Sequence, residues 1–168
     1  MEKVAPTYLM KVLKGINAEI DRIFVEERKF GYGPIGADGQ FLFDSGYSHE
    51  ENTKKLLKLF EEERKIRMAL AAFNSTHILE GYGFTMLEAL LRIEQLRRRI
   101  KNLTRMASKE TVFLQETEDL YSFKKSGTVY RLRYDLQAVK EELRAAQEEV
   151  NALQMAVDAV NLTATIDF

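Results

Sequence analysis

Two stretches of this chain place apolar residues at alternating steps of three and four, and no other feature restricts the fold so tightly. The first runs through Met86, Ala89, Ile93, Leu96, Ile100, Leu103 and Ala107; the second runs from Leu136 through Val139, Leu143, Ala146, Val150, Leu153 and Val157 to Val160. A step pattern averaging three and a half residues keeps one edge of an α-helix apolar for several turns, which is the a/d seam of a coiled coil. The spacing predicts helices over about 86–107 and 135–160. Neither seam can remain in water alone, so each needs another helix against it.

Charge identifies the partner. Residues 86–107 carry six basic and two acidic side chains, net +4, whereas 136–160 carry two basic and five acidic, net −3. Opposite signs beside matched seams predict that the two helices pair with each other, antiparallel because one connection joins them. Over the whole chain the charges nearly cancel, 25 basic against 26 acidic, so no global field draws in nucleic acid or an anionic membrane.

Two further amphipathic helices precede this hairpin. Leu9, Val12, Ile16, Ile20 and Ile23, widened by Leu13 and Phe24, line one face of a helix over about 6–30. Ser48 followed by Glu51 has the capping-box spacing that satisfies free N–H groups at a helix start. It opens a helix over 49–74 carrying Leu56, Leu59, Ile66, Leu70 and Phe73, with Asn74 as its expected end. Thr85 and Glu88 repeat the box before the third helix, after an extended piece at Thr76–Leu79 and a Gly81-Tyr82-Gly83 turn. Residues 31–48 hold five of the nine glycines and the aromatics Tyr32, Phe41, Phe43 and Tyr47. They read as a long loop with a short strand near Gln40–Phe43, its aromatics folded back to cap a bundle end. Residues 108–134 lose helical period, and Thr111–Leu114 and Thr128–Leu132 around Lys125-Ser126-Gly127 predict a β-hairpin or irregular arm, with a helix over Thr117–Lys125 as the alternative. The expected fold is a single, mainly α domain spanning 1–168: four amphipathic helices, an antiparallel coiled-coil hairpin of the third and fourth, and a small β-hairpin or irregular arm.

Two helix ends echo each other: Phe73-Asn74-Ser75-Thr76-His77-Ile78 and Val160-Asn161-Leu162-Thr163-Ala164-Thr165-Ile166. Asparagine tolerates the left-handed conformation that ends helices. If the second and fourth helices run parallel, the tails 76–79 and 163–166 would pair as short strands. The Asn-x-Thr triplets also match a glycosylation pattern, which the absence of a signal-peptide pattern argues against; the expected location is the cytoplasm.

Catalytic chemistry is sparse. No cysteine is present, which removes thiolate nucleophiles, disulfides and cysteine metal sites. His49 and His77 fall in no H-x-x-x-H or H-E-x-x-H pattern, and the glycines of 31–48 match neither a phosphate loop nor a dinucleotide fingerprint. No catalytic, cofactor-binding or metal residue is assigned, and the expectation is a protein that is not an enzyme. The longest apolar stretches fall far short of the ~20 residues that span a bilayer. The candidate interaction face is Arg92, Arg97, Arg98, Arg99, Lys101 and Arg105, since clustered guanidinium groups bind phosphates.

The order of parts resembles a family. A helix, a variable loop, a helix ending in Asn74-Ser75-Thr76, the Glu80-Gly81 turn, the helix start Thr85-Met86-Leu87-Glu88-Ala89-Leu90 and the terminus Asn161-Leu162-Thr163 look like the small bacterial coiled-coil proteins labelled septicolysin-like, from about Met10 onward. The glycine-rich insertion at 31–48 and the lack of an aromatic residue beside Asn161 depart from that pattern. The resemblance implies a helical fold and no established activity. Its label suggests a pore former, but cholesterol-dependent cytolysins carry a tryptophan-rich, cysteine-containing loop on a far larger β-rich body, and this chain has neither residue. The expected function is therefore that of a structural or interaction protein self-associating as a homo-oligomer through its seams. The alternatives are a nucleic-acid-binding module on the arginine face, or a small-ligand pocket under loop 31–48.

Overall fold

The computed structural model describes residues 3–118 and 125–168 of the chain. Along the sequence lie β1 (Lys3–Val4), α1 (Pro6–Phe30), α2 (His49–Thr76), α3 (Met86–Ala107), β2 (Val112–Glu118), β3 (Lys125–Arg131), α4 (Leu136–Thr163) and β4 (Ile166–Asp167). They gather into two compact units: residues up to Ile78 together with Ala159–Phe168, and Leu79–Asp158.

In the first unit, Pro6 opens α1, where its missing N–H forfeits nothing. His49 Nδ1, at the start of α2, lies 3.8 Å from Glu27 Oε1 near the end of α1, so the two helices run antiparallel. Leu9, Ile16, Ile20 and Ile23 of α1 and Leu56 and Ile66 of α2 form the core, joined by Ile166 from β4. Val12, Leu13, Leu59, Leu70 and Phe73 pack around it, so the predicted stripes of both helices point inward.

The stripe of α2 extends backward by one step to Asn52, which is 4% exposed and whose Nδ2 has no hydrogen-bond partner among the described residues. A polar residue in an apolar seam fixes register at a cost in stability, because a buried donor without an acceptor has lost water and gained nothing. Asn52→Leu is expected to raise stability by about 1–2 kcal/mol in urea denaturation.

The echo between helix ends persists, but asparagine does not make it. Both helices continue two residues past Asn74 and Asn161, and each ends on a threonine whose hydroxyl bonds back to the preceding turn. Thr76 Oγ1 donates to the Ala72 carbonyl at 2.9 Å and Thr163 Oγ1 to that of Ala159 at 2.8 Å. The next N–H, of His77 and of Ala164, closes the last helical bond onto Phe73 and Val160. The expected pairing of the two tails does not form. Ile166–Asp167 instead pairs antiparallel with Lys3–Val4, with Val4 opposite Ile166.

Loop 31–48 is ordered around a tight reversal. The Gly36 N–H donates to the Gln40 carbonyl at 2.8 Å, the Leu42 N–H to that of Pro34 at 2.9 Å, and Ile35 pairs with Phe41. Gly39 sits at φ +76°, a region open to glycine and strained for most other residues. The expected strand at 40–43 is thus reduced to one bridge. Three of the four aromatics do not fold back: Tyr32, Phe41 and Phe43 are 80%, 68% and 71% exposed, while Tyr47 is half-buried.

In the second unit, the Thr85 hydroxyl caps α3 by accepting the Glu88 N–H at 3.2 Å, as Ser48 caps α2 through the Glu51 N–H at 3.3 Å. Asp135 starts α4 by accepting the N–H groups of Gln137 and Ala138. Such caps each stabilise by ~0.5–2 kcal/mol. Met86, Ala89, Ile93 and Leu103 of α3 are buried, as are Val139, Ala146, Val150, Leu153 and Val157 of α4. The helices are antiparallel: Arg99 meets Glu142, Arg92 meets Glu149, and the Tyr134 hydroxyl donates to the Met106 carbonyl at 3.0 Å. The arm is a β-ribbon in which Val112 lies opposite Arg131 and Glu118 opposite Lys125. Lys125-Ser126-Gly127 is therefore strand rather than turn. Of the alternative helix at 117–125, Thr117, Glu118 and Lys125 are strand, and 119–124 lie outside the described residues.

Candidate interaction surfaces

The arginine face of α3 is largely engaged with the chain's own acids. Arg99 forms a two-pronged contact with Glu142, at 2.8 and 2.9 Å. Arg92 Nε donates to Glu149 at 2.7 Å, Arg97 to the Gln154 side-chain oxygen at 3.0 Å, and Arg98 lies 3.6 Å from Glu94 one turn back. Lys101 and Arg105 have no such partner among the described residues. The charge difference between α3 and α4 is thus expressed as pairing along their seam. These are exposed pairs, each contributing only ~0.2–1 kcal/mol, so they fix register while the apolar layers carry most of the stability.

Beside the ion pairs, α3 borders an open groove of about 600 Å³ lined by Glu88, Leu91, Arg92, Gln95, Leu96 and Arg99. Its lining is mixed: two leucines, two arginines, one glutamate and one glutamine. The Arg92 guanidinium also stands 5.9 Å from the centre of the Phe84 ring, so this edge already brings a cation to an aromatic face. Leu87, Leu90 and Leu91 of α3 are 43%, 37% and 50% exposed.

A second apolar surface is loop 31–48, where Ile35 and Leu42 join the exposed aromatics. Asp38 and Asp44 are its only charged residues, and one carboxylate oxygen of each accepts a backbone N–H two residues on, from Gln40 and Gly46. Sequence reasoning saw these aromatics but assigned them inward. It also missed the outer leucines of α3, which interrupt no period because the seam is satisfied without them.

His49 neighbours Glu27 and, at 3.4 Å, the Tyr47 hydroxyl, and His77 stacks on Phe73 with ring centres 4.7 Å apart. The Arg22 guanidinium holds the Glu19 carboxyl below its ordinary range, and the Lys65 ammonium does the same for Glu61. Among the described residues no three His, Asp or Glu side chains gather as a metal site, and no helix is long and apolar enough to cross a membrane.

The sequence matches no protein-family model and no curated protein. The fold is similar to that of a functionally unknown conserved protein from Corynebacterium diphtheriae, whose crystal structure superposes with a TM-score of 0.69 at 13% identity, covering 99% of this chain and 100% of that one. At that identity the likeness concerns the fold alone: a mainly helical chain with a small antiparallel ribbon.

Proposed function

We propose that this chain is a structural or interaction protein that acts by self-association, without a catalytic site of its own. The observation that carries this reading is the run of exposed apolar residues in loop 31–48, where Ile35, Phe41, Leu42 and Phe43 are each more than half exposed on a hydrogen-bonded turn. Isolated exposed leucines are ordinary, but an ordered run of large apolar side chains in water marks a surface that is covered in use. Ile93 and Leu103 of α3 and Val150 and Leu153 of α4 are buried within the chain, so exposed apolar positions elsewhere are the ones left for association. The short motifs at Thr85–Leu90 and Asn161–Thr163 support grouping the chain with septicolysin-like proteins, and nothing in that grouping calls for pore formation.

Light scattering after size exclusion, at low and high salt with nucleic-acid absorbance recorded, tests the reading. A multimer free of nucleic acid at both salts is expected. A monomer would contradict it; a peak carrying nucleic acid that salt removes would favour the arginine face, because phosphate contacts weaken steeply with salt. A small molecule that copurifies, and is lost when loop 31–48 is trimmed, would favour a ligand pocket.

A further inference from the structure

Besides their seam, α3 and α4 each carry a second series of residues at steps of seven, and the two series are complementary. Leu91, Arg98 and Arg105 share one heptad position of α3, Glu141, Glu148 and Met155 share the same position of α4, and all six are exposed. That position lies on the opposite side of a helix from its a/d edge, so it takes no part in the hairpin's own packing. Along α3 the order is apolar, basic, basic; along α4 it is acidic, acidic, apolar. These charges are not neutralised by close partners. Arg105 forms no ion pair among the described residues, and Glu141 accepts from the neutral Gln137 amide. Arg98 and Glu148 make only long, exposed contacts to Glu94 and Arg144 on their own helices, at 3.6 and 3.8 Å. Leu91 and Met155, the apolar members, are 50% and 74% exposed.

We propose that the outer face of α3 in one copy packs antiparallel on the outer face of α4 in a second copy, setting Leu91 on Met155, Arg98 on Glu148 and Arg105 on Glu141. The joint rests on the self-association proposed above and gives it a surface. Each step of seven along α3 is a step of seven back along α4, so one register satisfies all three layers over about 21 Å of helix. Other pairings fail on the same residues. A parallel arrangement would set Leu91 against Glu141 and Arg105 against Met155. Two α3 faces centred on each other would oppose Arg98 to Arg98, and two α4 faces Glu148 to Glu148, like charges that disfavour both symmetric contacts. Ala145 and Ala152, exposed beside the α4 stripe, are small enough to let a second helix approach closely. One pair runs against the register: Lys101 and Arg144 fall on the same flank of the joint. Because the joint uses two different faces and each copy has one of each, it propagates head to tail into a closed ring or an open chain rather than stopping at a two-fold dimer.

The test reverses charge on the full chain and reads assembly by light scattering after size exclusion. Arg98→Glu/Arg105→Glu reverses the α3 face and Glu141→Lys/Glu148→Lys the α4 face; all four positions are exposed, and circular dichroism checks that helix content is kept. Each double variant alone sets like charges across the joint and is expected to weaken assembly by about tenfold or more. Mixed in equal amounts, the two are expected to assemble again in alternation, because every joint then brings a basic face to an acidic one. Arg144→Glu, a milder change, is expected to strengthen assembly several-fold by turning the one opposing pair into an attraction to Lys101. A wild-type monomer would remove the self-association reading and the joint with it. A wild-type multimer indifferent to both reversals, a mixture no larger than its separate components, or weaker assembly of Arg144→Glu would leave self-association standing and overturn this joint.

Discussion

Leu103→Ala is expected to cost the protein about 2–5 kcal/mol in urea denaturation, among the largest effects of any single truncation in the chain. Leu103 is fully buried near the C-terminal end of α3. One turn further on, the Tyr134 hydroxyl ties the Met106 carbonyl to the segment that leads into α4. That tie holds the helix ends in place and prevents collapse around the missing methyl groups, so the cost includes a cavity as well as the lost transfer energy. The exposed partner changes supply the contrast. Arg99→Ala removes a well-formed contact to Glu142, yet both side chains are about half exposed, and the loss is expected to stay below about 1 kcal/mol. If Arg99→Ala proved costlier than Leu103→Ala, the hairpin would be held by charge rather than by its seam.

The second large effect belongs to the other unit. Leu9 is 1% exposed and belongs to the cluster that α1 and α2 share with Ile166. Leu9→Ala is expected to cost about 2–5 kcal/mol, whereas Met68→Ala, at 72% exposed on α2, is expected to stay within about 0.5 kcal/mol. Equal effects would mean that the inward face of α2 had been assigned wrongly.

Most of the helical architecture is legible in the sequence because periodicity is a local property. Seven alternating positions from Met86 to Ala107 leave one edge to bury, and the opposite charges of 86–107 and 136–160 identify what buries it. Capping chemistry is equally local: Ser48 and Thr85 mark starts that the structure keeps to the residue. Helix ends are less legible, because two devices compete there. Asn74 and Asn161 offered a left-handed stop, but Thr76 and Thr163, bonded back to the carbonyls four residues earlier, carry each helix one half-turn further.

What the sequence hides is pairing at long range and the direction of side chains in loops. Lys3–Val4 is too short to show a strand period, and its partner Ile166–Asp167 lies at the opposite end of the chain. Lys125-Ser126-Gly127 has turn composition, yet it extends a ribbon whose register is set by its partner strand. Phe41 and Phe43 mislead for a different reason. The expectation that aromatics turn inward holds for most loops, and it fails where the turn is closed by its own backbone bonds and needs no core to hold it. The arginine face was legible as a cluster, but which of its members are spoken for depended on where Glu142, Glu149 and Gln154 fall across the hairpin.

Under the proposed function, the chain buries its helix cores within itself and its exposed apolar surfaces are covered by other copies. Hydroxyl-radical footprinting of the full chain, dilute and concentrated, tests this side chain by side chain. Leu103 and Leu153, fully or almost fully buried, are expected to be protected at every concentration. Phe41, Phe43 and Leu91 are expected to react freely when dilute and to become protected as concentration rises. If those three remain equally reactive throughout, the outer surfaces are not covered by another copy, and self-association is the wrong function.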